Sequence, residues 1–138
     1  KTLPHVDTRT DLRCIEGWST KVGWGGVRLS EFLLKYDLVP ADAVDNPKKY
    51  PNLYLQLATP DEKYFVGIDL ASAVQPQTLL AYDMNGAPLT LGHGAPLRLA
   101  IPTKYGIKNI KRIGHLRVMH QRPDDYWALE GYDWYAGH

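Results

Sequence analysis

Four places in this 138-residue sequence hold residue types that could do chemistry. Cys14 is the only cysteine, and Glu16-Gly17-Trp18-Ser19 and then Trp24-Gly25-Gly26 follow it. A lone thiol is more often a small buried hydrophobe, and its functional reading is a nucleophile or a soft metal ligand. Glycines beside it would let the backbone approach a bulky ligand. His93-Gly94-Ala95-Pro96-Leu97-Arg98 and Tyr105-Gly106-Ile107-Lys108-Asn109-Ile110-Lys111 come next. Fixed cations beside glycine-freed backbone N–H groups are what a phosphate-like anion needs, although a solvated basic loop fits the same residues. Tyr82 could donate a hydrogen bond to a substrate, or pack as a structural tyrosine beside Met84. His115 and His120 are five apart and would project to opposite faces of a strand, which argues against zinc. Glu16, Asp83, Asp124 and Asp125 form no acid–base constellation that the spacing supports.

The elements that must position these residues are mostly strands. Residues 8–15 lead up to Cys14. Leu53, Leu55 and Leu57 alternate with Tyr54, Gln56 and Ala58, the period of a half-buried strand. Residues 64–68, 97–101 and 113–119 are further strand candidates. Residues 79–84 run into Asn85-Gly86, the preferred pair for a tight hairpin turn, with the return over residues 89–91. Helical spacing is scarce. Leu29, Phe32, Leu33 and Tyr36 give one apolar face, with Ser30 as its N-cap, Glu31 in the first turn and Pro40 as the stop. Asp69 caps a second, very short helix. Ten prolines and twelve glycines punctuate the chain, and long loops of this kind usually carry a site. The expected fold class is α+β: short mixed β-sheets with few short helices.

Bulk properties narrow the function classes. Hydrophobic residues make up 44% and charged residues 22% of the chain, at a formal net charge of +1. That suits one globular domain able to bury its own core. The cations among residues 104–117 are interrupted by Ile107, Ile110 and Ile113, so nucleic acid is not an expected partner. One cysteine excludes an internal disulfide and a cysteine-rich zinc site. No apolar run reaches the roughly 20 residues of a membrane span, so direct membrane insertion is not expected.

Taken in order, Cys14-Ile15-Glu16-Gly17-Trp18-Ser19, Leu80-Ala81-Tyr82-Asp83-Met84-Asn85-Gly86, His93-Gly94-Ala95-Pro96-Leu97-Arg98 and residues 105–111 resemble one family. It is the molybdopterin-binding oxidoreductase domain shared by sulfite oxidases and the periplasmic methionine sulfoxide reductase catalytic subunit. The resemblance covers residues 8–137. It implies molybdopterin with molybdenum as cofactor and Cys14 as the protein ligand to the metal. It further implies cofactor contacts from Thr59, His93, Arg98, Asn109, Ile110 and Lys111, and a catalytic role for Tyr82. A soft thiolate suits such a metal, and the cofactor does the hard step of oxygen-atom transfer.

The resemblance is mixed. Sulfite oxidases carry an arginine shortly after the ligand cysteine, where this chain has Trp18-Ser19-Thr20-Lys21. Tyr82 and His93 follow the sulfite oxidase pattern instead. Trp18 and Trp24 suggest an aromatic-walled channel, and the expected substrate is a neutral S-oxide or N-oxide in preference to sulfite. With no haem-attachment motif, electrons are expected from an external haem- or quinone-linked partner. Relatives of this kind imply a periplasmic location. The family also implies an earlier segment with further cofactor contacts, so residues 1–138 read as a single domain lacking that amino-terminal part. The competing reading is a cofactor-free binding or structural module on the same fold.

Overall fold

The structure is a computed structural model, and the residues it describes are 3–13, 19–101, 108–123 and 134. Cys14, Trp18, Gly106, Asp124 and Asp125 lie outside them. The described elements are β1 (Val6–Arg13), β2 (Ser19–Arg28), α1 (Leu29–Lys35), a 3-10 turn (Pro47–Lys49), β3 (Tyr54–Ala58), β4 (Phe65–Asp69), α2 (Leu70–Ala73), β5 (Leu79–Met84), β6 (Ala87–Pro88), a second 3-10 turn (Leu91–His93), β7 (Arg98–Ala100) and β8 (His115–Met119). They build two antiparallel sheets. One runs β1-β2-β5-β6, with β7 also paired to β5, and the other runs β4-β3-β8. Among the described residues no helix is long and apolar enough to cross a membrane.

The three-stranded sheet follows directly from alternation. Leu55 lies opposite Ile68 and Val118, and Leu57 opposite Val66 and Leu116. Leu55, Leu57, Val66 and Ile68 are fully buried. They meet Leu29 and Leu33 of α1, together with Leu80, Leu99 and Ile101 from the other sheet, in the main core. Each such side chain contributes about 1.5–3 kcal/mol on leaving water.

The larger sheet is covered on both faces along β5 and β7. Leu80 pairs with Leu99 toward the main core, whereas Leu79 pairs with Ala100 and Ala81 with Arg98. Leu79, Ala81 and Ala100 join Val22, Trp24 and Leu89 in a second apolar cluster. Strand β2 was not expected from the sequence. It contains Gly23, Gly25 and Gly26, and its register against β5 shifts between Gly25 and Gly26, leaving Tyr82 without an opposite residue. A Cβ on Gly26 would stand 2.1 Å from the Leu80 carbonyl oxygen, so only glycine lets these strands come together. Gly26 therefore serves strand pairing, while a Cβ on Gly25 would meet the side chains of Asp7, His5 and Asp83. Nor is Trp24 a channel wall: it is 2% exposed and part of the core.

Three further expectations change. Ser30 is not the N-cap; it is the buried second residue of a helix whose cap position is Arg28. Strand β2 runs straight into α1, and the Leu29 N–H donates to the Thr78 carbonyl at 2.9 Å, which replaces a side-chain cap. Pro40 does not stop α1 either. Asp37 takes a left-handed φ of 53°, the Leu38 N–H reaches Leu33 O and the Asp37 N–H reaches Leu34 O. That is a Schellman ending with aspartate in the usual glycine place. The hairpin return is limited to Ala87–Pro88, because residues 91–93 turn into a 3-10 coil. The Asn85-Gly86 turn itself forms, with positive φ at both residues. Asp69 caps α2, its Oδ2 accepting from the Ser72 N–H.

Candidate functional site

The expected cationic residues converge where β7 meets the two loops that flank it. Arg98 is the centre. It is 3% exposed, and its guanidinium lies 4.4 Å from the centroid of the Trp24 ring on the neighbouring face of the sheet. Its N–H groups donate to three carbonyls: His93 O at 3.3 Å, Asn109 O at 3.2 Å and Leu99 O at 3.4 Å. Burial pulls its pKa down to about 10, which still leaves it a cation at neutral pH. Arg98 thus ties the 91–95 turn to the 108–111 loop.

Gly94 allows this convergence. Its φ is 104°, and a Cβ there would stand 2.9 Å from the Lys111 Cβ and 3.2 Å from the Arg98 Cβ. An L side chain would be strained by conformation and blocked by space at once. Lys111 is exposed, and its Nζ donates to Gly92 O at 3.1 Å. His93 is exposed too. Its Nδ1 pairs with the Thr90 hydroxyl at 2.8 Å, which orients the ring and leaves Nε2 for another partner. Among the described residues no carboxylate pairs with Arg98 or Lys111. Two cations hydrogen-bonded to backbone carbonyls among the described residues, with an oriented imidazole beside them, form a donor set suited to a phosphate-bearing anion.

Asn109 and Ile110 are in the same loop, but their side chains turn inward. Asn109 Oδ1 accepts from the Ile101 N–H at 2.7 Å, and its amide donates to Ile101 O at 3.4 Å. Ile110 is 1% exposed in the main core. Both hold the loop in place: Asn109 O accepts from Arg98, and Ile110 bonds to Lys108 O and the Leu99 N–H. Lys108, expected beside Lys111 in the anion cradle, is not there. It is 1% exposed, and its Nζ donates to Gly67 O in β4 at 2.7 Å.

Thr59 and Tyr82 stand apart, and none of their described contacts reaches the cluster. The Thr59 hydroxyl donates to Asp61 at 2.7 Å and accepts from the Tyr64 N–H at 3.3 Å, closing the turn between β3 and β4. Hydrogen bonds from the Lys63 N–H and from Thr59 hold the Asp61 carboxyl below its usual range. Thr59 lines a groove of about 410 Å³ with Lys63, Tyr64 and Arg112, the residue after Lys111. Tyr82 is 37% exposed, its ring 5.6 Å from that of His5, which in turn lies 3.4 Å from Asp83. Thr90 was missed from sequence, and Gly94 was read there only as part of a glycine-rich turn, without its tight approach to Lys111 and Arg98.

Comparison with known proteins bears on the family and the fold. The family model described as oxidoreductase molybdopterin binding domain matches residues 1–127. The chain is similar to the protein-methionine-sulfoxide reductase catalytic subunit MsrP of Xanthomonas campestris, 37% identical over 123 residues, covering 84% of this chain and 37% of that protein. It is similar to the subunit of the same name from Gluconobacter oxydans, 34% identical over 143 residues, covering 96% of this chain and 46% of that protein. The chain therefore spans less than half the length of these relatives. In fold it resembles the sulfane dehydrogenase SoxCD of Paracoccus pantotrophus, at a TM-score of 0.72 and 19% identity, over 87% of this chain and 33% of that one.

Proposed function

The chain belongs to the oxidoreductase molybdopterin-binding domain family, and from that premise we propose that it is the cofactor-holding part of a molybdenum enzyme that moves an oxygen atom to or from a small molecule. The observation that carries this reading is the convergence of Arg98, Lys111 and His93 without a carboxylate partner among the described residues. These groups would hold the phosphate end of molybdopterin. Arg98 is the fixed, desolvated cation and Lys111 the outward one. Asn109 and Ile110 hold the loop in place, and Cys14 would supply the thiolate ligand to the metal. When bound, the cofactor supplies a metal able to exchange oxygen and two electrons.

A neutral S-oxide is the substrate this reading favours, in keeping with the names of the two reductase relatives. A dianion such as sulfite must be desolvated beside fixed cations, and Arg98 and Lys111 are committed to the cofactor. Electrons would come from a separate partner, and the enzyme would work in the periplasm. Thr59 and Tyr82 remain candidates for pterin and substrate contact from the neighbouring loops.

The test is a side-by-side assay of the natural protein loaded with cofactor. Reduction of sulfoxides by a reduced dye should far exceed oxidation of sulfite, and Cys14→Ala should abolish turnover while leaving the protein folded. Efficient sulfite oxidation would overturn the substrate. A protein without molybdenum, made in a host that produces the cofactor, would overturn the whole reading in favour of a cofactor-free module.

A further inference from the structure

Lys108 is the one fully buried lysine among the described residues, and the reading above gives it no role. Its surroundings are built with some care. The Nζ donates to Gly67 O at 2.7 Å and lies 4.5 Å from the centroid of the Trp134 ring. Arg122 places its guanidinium 4.7 Å from the same centroid. Trp134 is 7% exposed, donates its indole N–H to Pro123 O at 2.9 Å and meets Tyr54 edge-on at 5.7 Å. Gly67 makes room for it, since a Cβ there would stand 2.7 Å from Trp134 Cζ2. Lys108, Gly67 and Trp134 thus form a socket on the three-stranded sheet.

The socket sits at the root of the loop that ends in Lys111. The Ile110 N–H donates back to Lys108 O at 3.0 Å, Ile110 O accepts from the Leu99 N–H at 2.9 Å, and Asn109 is bonded to Ile101. Three consecutive buried residues therefore fix the direction in which the fourth emerges. A methionine would fill the space of Lys108 without the cost of desolvating an ammonium group. What lysine adds is a directed bond, which sets the loop against β4.

We propose that Lys108, gripped by Trp134, is a positioning residue that aims Lys111 at the cofactor's phosphate. This rests on the functional reading above. Strain or slack at the socket would reach the cluster through one short, bonded tripeptide, so the carboxyl-terminal tryptophan becomes part of cofactor retention without touching the cofactor.

The experiment follows release of molybdenum from the loaded natural protein by timed gel filtration, with Tm measured alongside. Lys111→Ala is the reference and should speed release by about ten-fold through loss of a charge-assisted bond. Lys108→Met should approach that rate. The double variant should release no faster than Lys111→Ala alone, because Lys108 acts through Lys111. Trp134→Phe keeps a ring but loses the bond to Pro123; it should speed release about three-fold, with the same non-additivity. It decides the matter if Lys108→Met does not fold. A lower Tm with unchanged release, or effects that add to that of Lys111→Ala, would overturn the proposal and leave the function intact. Unchanged release in Lys111→Ala itself would remove the contact that Lys108 is meant to aim and overturn the proposal, whereas a natural protein that never takes up molybdenum would overturn the functional reading.

Discussion

The two sheets solve packing in opposite ways. In the three-stranded sheet, large side chains do the work: Leu55, Leu57, Val66 and Ile68 form a continuous row across β3 and β4, and the strands keep a regular register. In the larger sheet, missing side chains do it. Gly26 touches the backbone of β5, the register slips, and both faces of β7 and of residues 79–81 in β5 are buried. The regular sheet carries the core and the irregular one carries Arg98. Where strands approach too closely for side chains, a guanidinium can be laid over Trp24 and still reach three loop carbonyls. Departures from local rules concentrate where a site is assembled.

The sharpest way to break this comparison is to put a side chain where each sheet has glycine. Gly26→Val should cost more than about 3 kcal/mol, because its Cβ meets backbone of β5 that cannot move without unpairing the strand. Gly67→Ala should cost about 1–2 kcal/mol, because the obstacle is the Trp134 ring and Pro123, side chains with some freedom to shift. Urea unfolding of both variants measures the difference. Equal costs would mean that close backbone approach is not what distinguishes the larger sheet.

The same contrast explains what could be read from the residues alone. Alternation at Leu53, Leu55 and Leu57 announces β3, because its leucines enter the core while Tyr54 and Gln56 between them stay half-buried. Asn85-Gly86 announces the hairpin, because few residues tolerate two positive φ values in succession. Strand β2 was invisible, since glycine has low strand propensity and leaves no side-chain period to detect. The candidate site divides in the same way. Arg98 and Lys111 are cations near glycines, and the structure brings them together beside His93. Lys108 is a cation three residues from Lys111, yet it points into the protein. Only the placement of Gly67 and Trp134, distant in sequence, decides that. The ligand role expected of Cys14 rests on resemblance, not on its spacing.

A smaller effect sharpens the regular side. Strand β4 passes into α2 through Asp69, whose Oδ2 accepts from the Ser72 N–H at 3.1 Å and the Ser72 hydroxyl at 2.9 Å. Asp69→Ala should lower stability by about 1 kcal/mol, the usual worth of an N-cap. Asp69→Asn should lose less, because an amide oxygen can still accept. If the asparagine variant lost as much as the alanine variant, the contribution would come from the charge and not from the cap geometry.

The smallest expected effect lies in the connection that feeds β3. Lys49 Nζ donates to Asp42 Oδ2 at 2.6 Å, and the Tyr50 hydroxyl donates to Asp42 Oδ1 at 2.5 Å. The bonds from Lys49 and then Tyr50 hold the Asp42 carboxyl below the usual carboxylate range, and the same bonds raise Lys49 and Tyr50 above theirs. A lowered acid pKa stabilises the fold above the ordinary carboxylate value and stops doing so as pH falls through the folded one. The raised pair stabilises below its ordinary values and stops doing so as pH climbs past about 10. Tm of wild type and Asp42→Ala should therefore differ most at neutral pH and converge below about pH 3. Lys49 is exposed and Asp42 and Tyr50 are only partly buried, so the gap should be small and should shrink in high salt. A gap that stays constant from neutral pH down to about pH 3 would show that Asp42 acts through its packing and not through its charge.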